Sequence, residues 1–356
     1  MKRPKFSAAD ARFMRRALAL AERGRGTTQP NPVVGAVVVR AGRIAAEGFH
    51  RKAGESHAEV NALARLRGSA RGTTLYVTLE PCDHTGRTGP CTAVLLAARP
   101  ARVVIGCRDP NPIVDGRGIA RLRRAGIRVD VGCLQAECAA AIRAYSLWVR
   151  ERRPLVTLKA AATLDGFIAA RPPAGARARA RKPAPVWITS PEARAAAHEL
   201  RAAHDAILVG AGTVRADDPH LTVRLGGRRR PQQPLRVVLA GRRPLPPRAH
   251  VFDPSAPTLT IEDPRGRVAP RRALQLLAAR GVQSVLVEGG AGVAGAFIAS
   301  GLVDRVALFV APKLLGGGLS VSAGGDLPVA RALRLGPISA AAVGPDLLLT
   351  ADVVRG

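Results

Sequence analysis

Four residues in two short segments have the types and spacing of a catalytic metal site. The segment SHAE at 56–59 contains His57 and Glu59, and the segment PCDHTGRTGPC at 81–91 contains Cys82 and Cys91. One imidazole and two thiolates are a common donor set for zinc, and three protein ligands leave a fourth coordination position open for water. The pattern therefore predicts a catalytic zinc site rather than a structural one.

Glu59 lies two residues after the predicted ligand His57, so it can stand beside the metal without binding it. Zinc lowers the pKa of a bound water to about 7 and so supplies hydroxide at neutral pH. A nearby carboxylate can carry protons from that water to a ring nitrogen and to departing ammonia. The order H-x-E, P-C and C is the signature of zinc deaminases. We therefore expect Glu59 to be the catalytic acid and base of a deamination.

The flanking sequence predicts that both segments begin helices. Ser56 is a possible N-cap, which would place His57 and Glu59 in the first turn. The residues that follow form an apolar stripe at helical spacing, Val60, Leu63, Ala64 and Leu66. Pro90 and Cys91 open the apolar run TAVLLAA, which is typical of a helix with proline at its start.

Two observations leave the ligand assignment open. An H-x-E string is common by chance, and cysteines in a reducing compartment also serve as small buried apolar residues. The two cysteines are separated by DHTGRTGP, far longer than the two-residue gap of most zinc deaminases. His84 lies inside this gap, where it is a rival ligand, a substrate contact or a surface residue.

The length and composition are those of a two-domain protein. At 356 residues the chain exceeds the size at which a single hydrophobic core stops growing, and 47% of its residues are hydrophobic. Because we find no apolar run of membrane-spanning length and no signal-peptide pattern, we expect a cytoplasmic protein that does not bind membranes. Five cysteines fit a reducing compartment, and we expect Cys107, Cys133 and Cys138 in the core.

The chain is strongly basic, with 55 Lys and Arg against 26 Asp and Glu and a formal net charge of +29. Such a charge favours polyanionic partners. The arginines, however, are spread along every segment, and only 3% of the residues are aromatic. Proteins that bind single-stranded nucleic acids usually combine a basic groove with exposed aromatic side chains. We therefore expect an arginine-rich surface around sites for phosphorylated small molecules, with no specific nucleic-acid partner.

The first part of the chain alternates between helix and strand patterns. A helix is predicted from Ser7, with Asp10 completing a capping box, and VVGAVVV and RIAAEGF flank a turn as a hairpin. Three further strand patterns, TTLYVTLE, ARVVIG and IRVDVG, alternate with helices, which predicts a sheet covered by helices on both faces. Asn31 lies between Pro30 and Pro32, so it belongs to a loop where its amide could contact a ring edge.

A second α/β unit is predicted to begin near 152–155, at Pro154 after a basic run. Its strand patterns include LVTLKAAAT, AILVG, LRVVLA, TLTI, SVLVEGG, VALFVAP and LLLTADVV. The segment EGGAGVAGA at 288–296 joins a strand to a helix, and the backbone N–H groups of such a turn can bind a phosphate. Gly290, Gly292 and Gly295 form the string G-x-G-x-x-G. This string is weak evidence alone, because a Rossmann unit has it at its first strand-to-helix turn, whereas here it comes near the end of the unit.

Longer motifs run in order through nearly the whole chain. They include TTQPNPVVGAVVV, GFHRKAGESHAEVNAL, DPNP, LKAAATLDG, WITSPEAR, GTVRADDPHLTVR, VLVEGG and APKLLGG. With these motifs the chain resembles the bifunctional pyrimidine deaminase/reductase of bacterial riboflavin biosynthesis, whose own pattern includes the long cysteine gap. The resemblance implies an α/β fold class, with a cytidine-deaminase-like three-layer α/β/α domain at 1–150 and a dihydrofolate-reductase-like α/β domain at 151–356.

The resemblance also implies reactions, cofactors and partners. The first domain would use zinc to deaminate 2,5-diamino-6-ribosylamino-4(3H)-pyrimidinone 5′-phosphate. The second would use NADPH to reduce the ribosyl chain and give 5-amino-6-ribitylamino-uracil 5′-phosphate. The partner would be this phosphorylated pyrimidine, and the chain would form a homodimer or a higher homo-oligomer, since the family tends to associate through the reductase domain.

The resemblance assigns roles to individual residues. In the first domain the substrate contacts would be Asn31 and His50. In the second domain the residues that match NADPH-binding positions are Lys159, Ala161, Trp187, Thr213, Asp217, Gly290, Ala291, Gly292 and Gly295. The residues that match substrate-binding positions are Arg201, Leu221, Arg224 and Glu288. Arginine suits the ribose phosphate because its planar guanidinium can bind two oxygens at once.

One segment departs from the family pattern. Between TLDG and WITS the chain has a long basic insertion at about 171–185, with Pro185 where the family has a substrate-binding serine. A proline has neither a hydroxyl nor a backbone N–H to donate. Three alternatives remain. The insertion suggests an enzyme with an impaired reductase, and the net charge of +29 suggests a base deaminase acting on nucleic acid. The third is a non-catalytic, metal-stabilised ligand-binding protein with a degenerate second site.

Overall fold

The structure is a computed structural model, and it describes residues 5–85, 89–170, 186–263, 266–324 and 327–355. The chain divides into two compact units, Met1–Arg153 and Pro154–Gly356. The predicted insertion at 171–185, including Pro185, lies outside the described residues. Within the described ranges, no helix combines the length and the apolar character needed to cross a bilayer.

The first unit is a sheet between two layers of helices. Its strands are β1 (Gly35–Arg40), β2 (Arg43–Phe49), β3 (Thr74–Leu79), β4 (Arg102–Cys107) and β5 (Arg128–Val131). Its helices are α1 (Ala8–Glu22), α2 (Ala58–Ala64), α3 (Cys91–Ala98), α4 (Arg117–Arg124), α5 (Gln135–Ala141) and α6 (Arg143–Glu151). The strand order is β2-β1-β3-β4-β5, antiparallel as far as β3 and parallel from β3 to β5.

The alternation of apolar side chains along the strands builds a core on each face of this sheet. Val37 and Val39 of β1 pack with α1, α5 and α6, whereas Ala36 and Val38 pack with α2, α3 and α4. This arrangement follows from the two-residue period of a strand. It confirms the predicted α/β/α layering, the β1–β2 hairpin and the burial of Cys107, Cys133 and Cys138.

Two predicted helix starts have different outcomes. The capping box at the start of α1 is confirmed, because Ser7 Oγ accepts from the backbone N–H of Asp10 and the Asp10 carboxylate accepts from the backbone N–H of Ser7. The prediction of Ser56 as a cap is wrong, because His57 occupies the N-cap of α2. The predicted stripe is only partly right, since Leu63 and Leu66 pack against the core, but Ala64 is exposed and the fully buried residues of α2 are Ala58, Glu59 and Ala62. Gly48 of β2 lies close to the backbone of Ala58 and Ala62, so this face of α2 packs against the sheet.

The second unit has a larger, mainly parallel sheet. The strands of the unit as a whole are β6 (Leu155–Thr163), β7 (Phe167–Ala169), β8 (Ala206–Gly210), β9 (Arg224–Leu225), β10 (Arg228–Arg229), β11 (Leu235–Leu239), β12 (Thr258–Ile261), β13 (Ser284–Val287), β14 (Arg305–Ala311), β15 (Leu319–Ser320), β16 (Arg334–Leu335), β17 (Ser339–Val343) and β18 (Asp346–Val354). Its helices are α7 (Pro191–Ala202), α8 (Ala211–Asp217), α9 (Pro270–Ala278) and α10 (Ala291–Ala299), with short 3₁₀ turns at His250–Phe252 and Val329–Arg331.

The order of the main sheet is β12-β11-β8-β13-β6-β14-β18-β16, with β17 paired to β18. The strands from β12 to β14 are parallel, and β18 is antiparallel to β14. All seven strand patterns predicted for this unit are present, whereas the prediction missed β7, β9, β10, β15, β16 and β17. Except for β17, these missed strands are two or three residues long, too short to show a hydrophobic period.

Candidate functional site

The three predicted metal ligands lie together at the carboxyl end of β3. His57 caps α2, Cys82 follows β3, and Cys91 is the first residue of α3. His57 Nδ1 lies 3.1 Å from Cys91 Sγ and 3.5 Å from Cys82 Sγ. All three donor atoms lie within 4.8 Å of one another. One nitrogen and two sulfur donors so close together fit a zinc ion.

The electrostatics of this donor cluster favour a thiolate. Hydrogen bonds with Cys91 and His57 lower the pKa of Cys82 to about 4. The backbone N–H of Cys91, at the start of α3, also donates to Cys82 Sγ at 3.4 Å. A thiolate is the form of cysteine that binds metals. His84 lines the adjoining cavity but is not part of the donor cluster, so among the described residues the rival assignment finds no support.

Glu59 lies in the first turn of α2 and is only 3% exposed. Burial raises the pKa of its carboxyl, and the charge of His57 opposes that rise. A buried carboxyl whose charged form is disfavoured can take up a proton during a reaction. The structure therefore places Glu59 next to the donor cluster, as the H-x-E spacing predicts.

A cavity of about 290 Å³ opens beside the donor cluster. Its lining includes three of the four residues above, His57, Glu59 and Cys82. The other polar lining residues are Asn31, His50, Glu55, Glu80, His84, Asp109, Asn111 and Tyr145. A concave site with convergent polar groups beside a metal-binding cluster is typical of an enzyme active site.

Asn31 and His50, the predicted substrate contacts, are joined by a hydrogen bond on this wall. His50 Nδ1 lies 3.2 Å from the backbone carbonyl of Ser56, which can only accept, so Nδ1 carries the proton. His50 Nε2 is then an acceptor, and Asn31 Nδ2 donates to it at 3.1 Å. This pairing leaves the Asn31 side-chain oxygen as the acceptor that the amide can offer to a ligand.

Sequence reasoning missed Asp109, Asn111 and Tyr145 as cavity residues. Asp109 follows β4 as Glu80 follows β3, and the carboxyl ends of neighbouring parallel strands meet at one edge of a sheet. That register was a usable signal for Asp109 and Asn111. Tyr145 gave no such signal, because it comes from α6 and reaches the cavity through packing alone.

In the second unit, three predicted residues form a largely buried ion cluster. Arg201 Nε and Nη2 donate to the two Glu288 carboxylate oxygens at 2.6 and 3.0 Å, and Lys159 Nζ lies 3.6 Å from Glu288 Oε2. Burial would raise the pKa of Glu288, but Arg201 and Lys159 lower it to about 2. The cluster forms because Val287 pairs with Leu158 in the parallel β13–β6 ladder, which brings the next residues, Glu288 and Lys159, side by side.

The predicted glycine-rich turn begins α10, with Gly290 as the N-cap and Ala291 and Gly292 in the first turn. Thr213 Oγ1 accepts from the backbone N–H of Gly290 at 3.1 Å, so two predicted NADPH-binding residues lie together. The third glycine has a different role. A Cβ on Gly295 would lie 2.1 Å from the backbone oxygen of Ala323, so packing requires glycine there.

The remaining predicted residues of this unit are more dispersed. Trp187 is 58% exposed, and the Arg194 guanidinium lies 4.9 Å from its ring centre. Ala161 lies in β6 opposite Phe309, and Asp217 ends α8. Leu221 is buried with a φ of 51°.

Arg224 is exposed, and its backbone N–H donates to His198 Nδ1 at 3.2 Å. Burial and the charges of Arg201 and Arg224 lower the pKa of His198 to about 4, so that this ring is a neutral acceptor near pH 7.

Two family models match the chain. Residues 7–107 match the cytidine and deoxycytidylate deaminase zinc-binding region, and residues 154–349 match the RibD C-terminal domain. The riboflavin biosynthesis protein RibD of Aquifex aeolicus is 38% identical, with 96% of this chain and 97% of that protein covered. RibD of Mycobacterium tuberculosis is 44% identical, with 92% of both chains covered.

Solved structures agree. The diaminohydroxyphosphoribosylaminopyrimidine deaminase/5-amino-6-(5-phosphoribosylamino)uracil reductase of Thermotoga maritima has a TM-score of 0.86 and 36% identity, with 97% of this chain and 99% of that chain covered. Acinetobacter baumannii RibD has a TM-score of 0.85 and 34% identity. The chain therefore belongs to the family of bifunctional deaminase/reductases of riboflavin biosynthesis, enzymes with a zinc-dependent deaminase domain and an NADPH-dependent reductase domain.

Proposed function

We propose that residues 1–150 form the deaminase domain, in which His57, Cys82 and Cys91 hold zinc and Glu59 transfers protons. The observation that carries this proposal is the donor cluster, which lies beside a buried carboxyl and a cavity. The substrate is 2,5-diamino-6-ribosylamino-4(3H)-pyrimidinone 5′-phosphate. Zinc, when bound, lowers the pKa of water toward 7 and so supplies a nucleophile at neutral pH.

The proton transfers assigned to Glu59 balance the reaction. Its carboxylate takes one proton from the attacking water and delivers it to the adjacent ring nitrogen. A second proton from that oxygen goes, through the same carboxyl, to the 2-amino group as the C–N bond breaks. Ammonia leaves, and the ring carbon keeps the oxygen as a carbonyl. Asn31 offers its side-chain oxygen to the ring edge, and His50 holds the Asn31 amide in that orientation.

We propose that residues 151–356 form the reductase domain. When bound, NADPH would supply a hydride to C1′ of the ribosyl ring, the C1′–O4′ bond would break, and the ring oxygen would take up a proton. The backbone N–H groups of Ala291 and Gly292 at the start of α10 would hold a cofactor phosphate, and the hydrogen bond from the Gly290 N–H to Thr213 would fix the turn.

The remaining family positions divide between the two ligands in this proposal. Lys159, Ala161, Trp187 and Asp217 form the cofactor side, and Arg201, Leu221, Arg224 and Glu288 form the substrate side. The ion cluster marks the place where the two sides meet, because it joins Lys159 to Arg201 and Glu288, and one carboxylate with two cationic partners has a net positive charge that suits a phosphorylated ligand.

The experiment that tests these assignments supplies the diaminopyrimidinone substrate to purified enzyme with and without NADPH, and identifies the products by mass. Deamination alone should occur without NADPH, and the ribityl product should appear when NADPH is present. If NADPH is never oxidised, the alternative of an enzyme with an impaired reductase is correct. If neither product forms, both assignments are wrong.

We infer that the enzyme is a cytoplasmic homodimer or higher homo-oligomer, since its relatives are bacterial biosynthetic enzymes. Light scattering at several protein concentrations tests this inference. A mass of one chain at all concentrations would contradict it.

A further inference from the structure

Asp109 and Tyr145 form a buried pair on the wall of the deaminase cavity. Each residue is 7% exposed, and the Tyr145 hydroxyl donates to Asp109 Oδ1 at 3.3 Å. The backbone N–H of Asn111 donates to the same oxygen at 2.8 Å. Two donors from separate segments, the loop after β4 and helix α6, therefore hold one oxygen of the carboxylate.

The other carboxylate oxygen, Oδ2, has no hydrogen-bond partner among the residues that the structure describes. Within the same residues, no unpartnered side-chain oxygen or nitrogen is sealed from solvent, so Oδ2 reaches open space. Because Asp109 lines the cavity, that space is the cavity. Oδ2 is thus an acceptor with unused capacity at the place where a ligand would lie.

Tyr145 is suited to hold this orientation. Burial and the charge of Asp109 raise the pKa of its phenol well above its usual range, so the hydroxyl stays protonated and remains a donor. Its side chain belongs to the same core cluster as α1, β1 and β4, which restricts the direction of the ring.

We propose that Tyr145 is a positioning residue of the deaminase, which holds Asp109 so that Oδ2 accepts a hydrogen bond from an amino or hydroxyl donor of the substrate. The inference rests on the proposed deaminase function of this cavity. It extends the site to α6, which lies beyond the segment 7–107 matched by the zinc-binding family model. The wall from Asp109 to Tyr145 would then distinguish this substrate from the simpler pyrimidines of other zinc deaminases.

The pairing has a consequence for pH dependence. Burial raises the pKa of Asp109 to about 6, and the hydrogen bonds from Asn111 and Tyr145 oppose that rise. The titratable groups around the Asp109 carboxyl are Glu80, His84, Cys107 and Tyr145. Without the Tyr145 hydroxyl, the charged form of Asp109 loses a donor and its pKa rises further. The acid limb of deaminase kcat/KM should then move to higher pH.

The test is Tyr145→Phe in the full-length, zinc-loaded enzyme. We expect KM for the diaminopyrimidinone substrate to rise about three- to tenfold with kcat nearly unchanged, because the lost contact serves the bound substrate and the transition state alike. We also expect the acid limb to shift upward. Asp109→Asn alone should raise KM, and adding Tyr145→Phe to it should produce little further change, because the two residues act as one unit.

Tyr76→Phe is the matched control. The Tyr76 hydroxyl donates to the Asp10 carboxylate at 2.8 Å in the same unit, and Tyr76 is not among the cavity residues. Its loss should lower thermal stability without moving KM or the acid limb. Zinc content and reductase activity, measured on each preparation, report whether each variant is folded.

Three results would overturn the inference: a wild-type KM and pH profile in Tyr145→Phe, a wild-type KM in Asp109→Asn, or a full additional effect of Tyr145→Phe in the Asp109→Asn background. The Asp109→Asn result decides the matter even where Tyr145→Phe does not fold. An inactive wild-type deaminase would instead contradict the proposed function itself.

Discussion

The donor cluster of the deaminase unit and the ion cluster of the reductase unit are both at least partly buried, but they differ in how they are charged. His57, Cys82 and Cys91 present a thiolate and further donors to a position that suits a cation. In the ion cluster, the Glu288 carboxylate is already compensated by Arg201 and Lys159. In the proposed function the first cluster needs a metal to complete it, whereas in the second the carboxylate already has two cationic partners and the net charge is positive.

The two clusters also differ in how the chain assembles them. The metal donors lie within 34 positions of one another, at the starts of two helices and the end of one strand. Arg201, at the end of α7, and Glu288, which follows β13, are 87 positions apart. Loss of one metal donor should therefore mainly lower the rate of deamination. Loss of one partner in the ion cluster should lower the free energy of unfolding as well as the rate of reduction.

The largest expected effect is in the deaminase. Glu59→Gln should retain zinc and lower deamination by about 10²–10⁴-fold, which is the usual contribution of general acid–base catalysis. Cys91→Ser should lose zinc, as metal analysis of the purified protein will show. Cys107→Ser is the control, because Cys107 is buried in the same unit but is not a donor. Loss of zinc from Glu59→Gln, or its full retention in Cys91→Ser, would refute the ligand assignment.

The next largest effect should come from a substitution that breaks the ion cluster. Arg201→Ala leaves Glu288 buried without its closest cation, which should destabilise the reductase unit by about 3–5 kcal/mol and abolish reduction. The measurement is denaturant unfolding alongside NADPH oxidation. Arg305→Ala is the control: Arg305 pairs with Asp352 at 2.8 Å, but both side chains are nearly half exposed, so its removal should cost about 0–1 kcal/mol. Equal stability of the two variants would show that the ion cluster contributes little.

The same cluster predicts a pH dependence. The pKa of Glu288 is depressed to about 2 in the folded chain, against an unperturbed value of 4.5. Its contribution to stability is therefore present above about pH 4.5 and is lost as the pH falls toward 2. Glu288→Gln should show a smaller loss of stability over this interval than the wild type. A wild-type slope in Glu288→Gln would assign the acid sensitivity to other groups.

Substitutions of two glycines in one turn should have smaller effects, and they distinguish cofactor binding from packing. A Cβ on Gly292 meets no atom within 4 Å, so Gly292→Leu should fold normally but weaken NADPH binding about tenfold, or 1.4 kcal/mol. Gly295→Leu should instead lower thermal stability, because of the contact with Ala323. Deamination should be unchanged in Gly292→Leu. If Gly292→Leu binds NADPH normally, the start of α10 is not the phosphate site.

The smallest expected effect concerns nucleic acids. With a net charge of +29, the protein should bind mixed-sequence RNA weakly, and that binding should fall steeply with salt because only counterion release drives it. The measurement is fluorescence anisotropy at about 50 and about 200 mM salt. Binding that persists at high salt, with deamination of a base in the RNA, would favour the nucleic-acid alternative.

The sequence by itself determined the start of α1 and was enough to predict the donor residues of the deaminase site. The donor types and the spacing of Glu59 after His57 can be identified in the sequence itself, and the capping box of Ser7 and Asp10 is formed directly by local hydrogen bonds. The family motifs added the reductase positions, including Glu288 and Arg201. The strands of the larger sheet were likewise predictable, because their apolar runs are long enough to show a pattern.

Only the tertiary structure decided which of the candidate side chains meet. It excluded His84 from the donor cluster, replaced Ser56 by His57 as the cap of α2, and brought Tyr145 to Asp109 across 36 positions. It also showed that Gly295 serves packing against Ala323. These outcomes depend on contacts between segments far apart in the chain, and neither composition nor short-range periodicity contains that information.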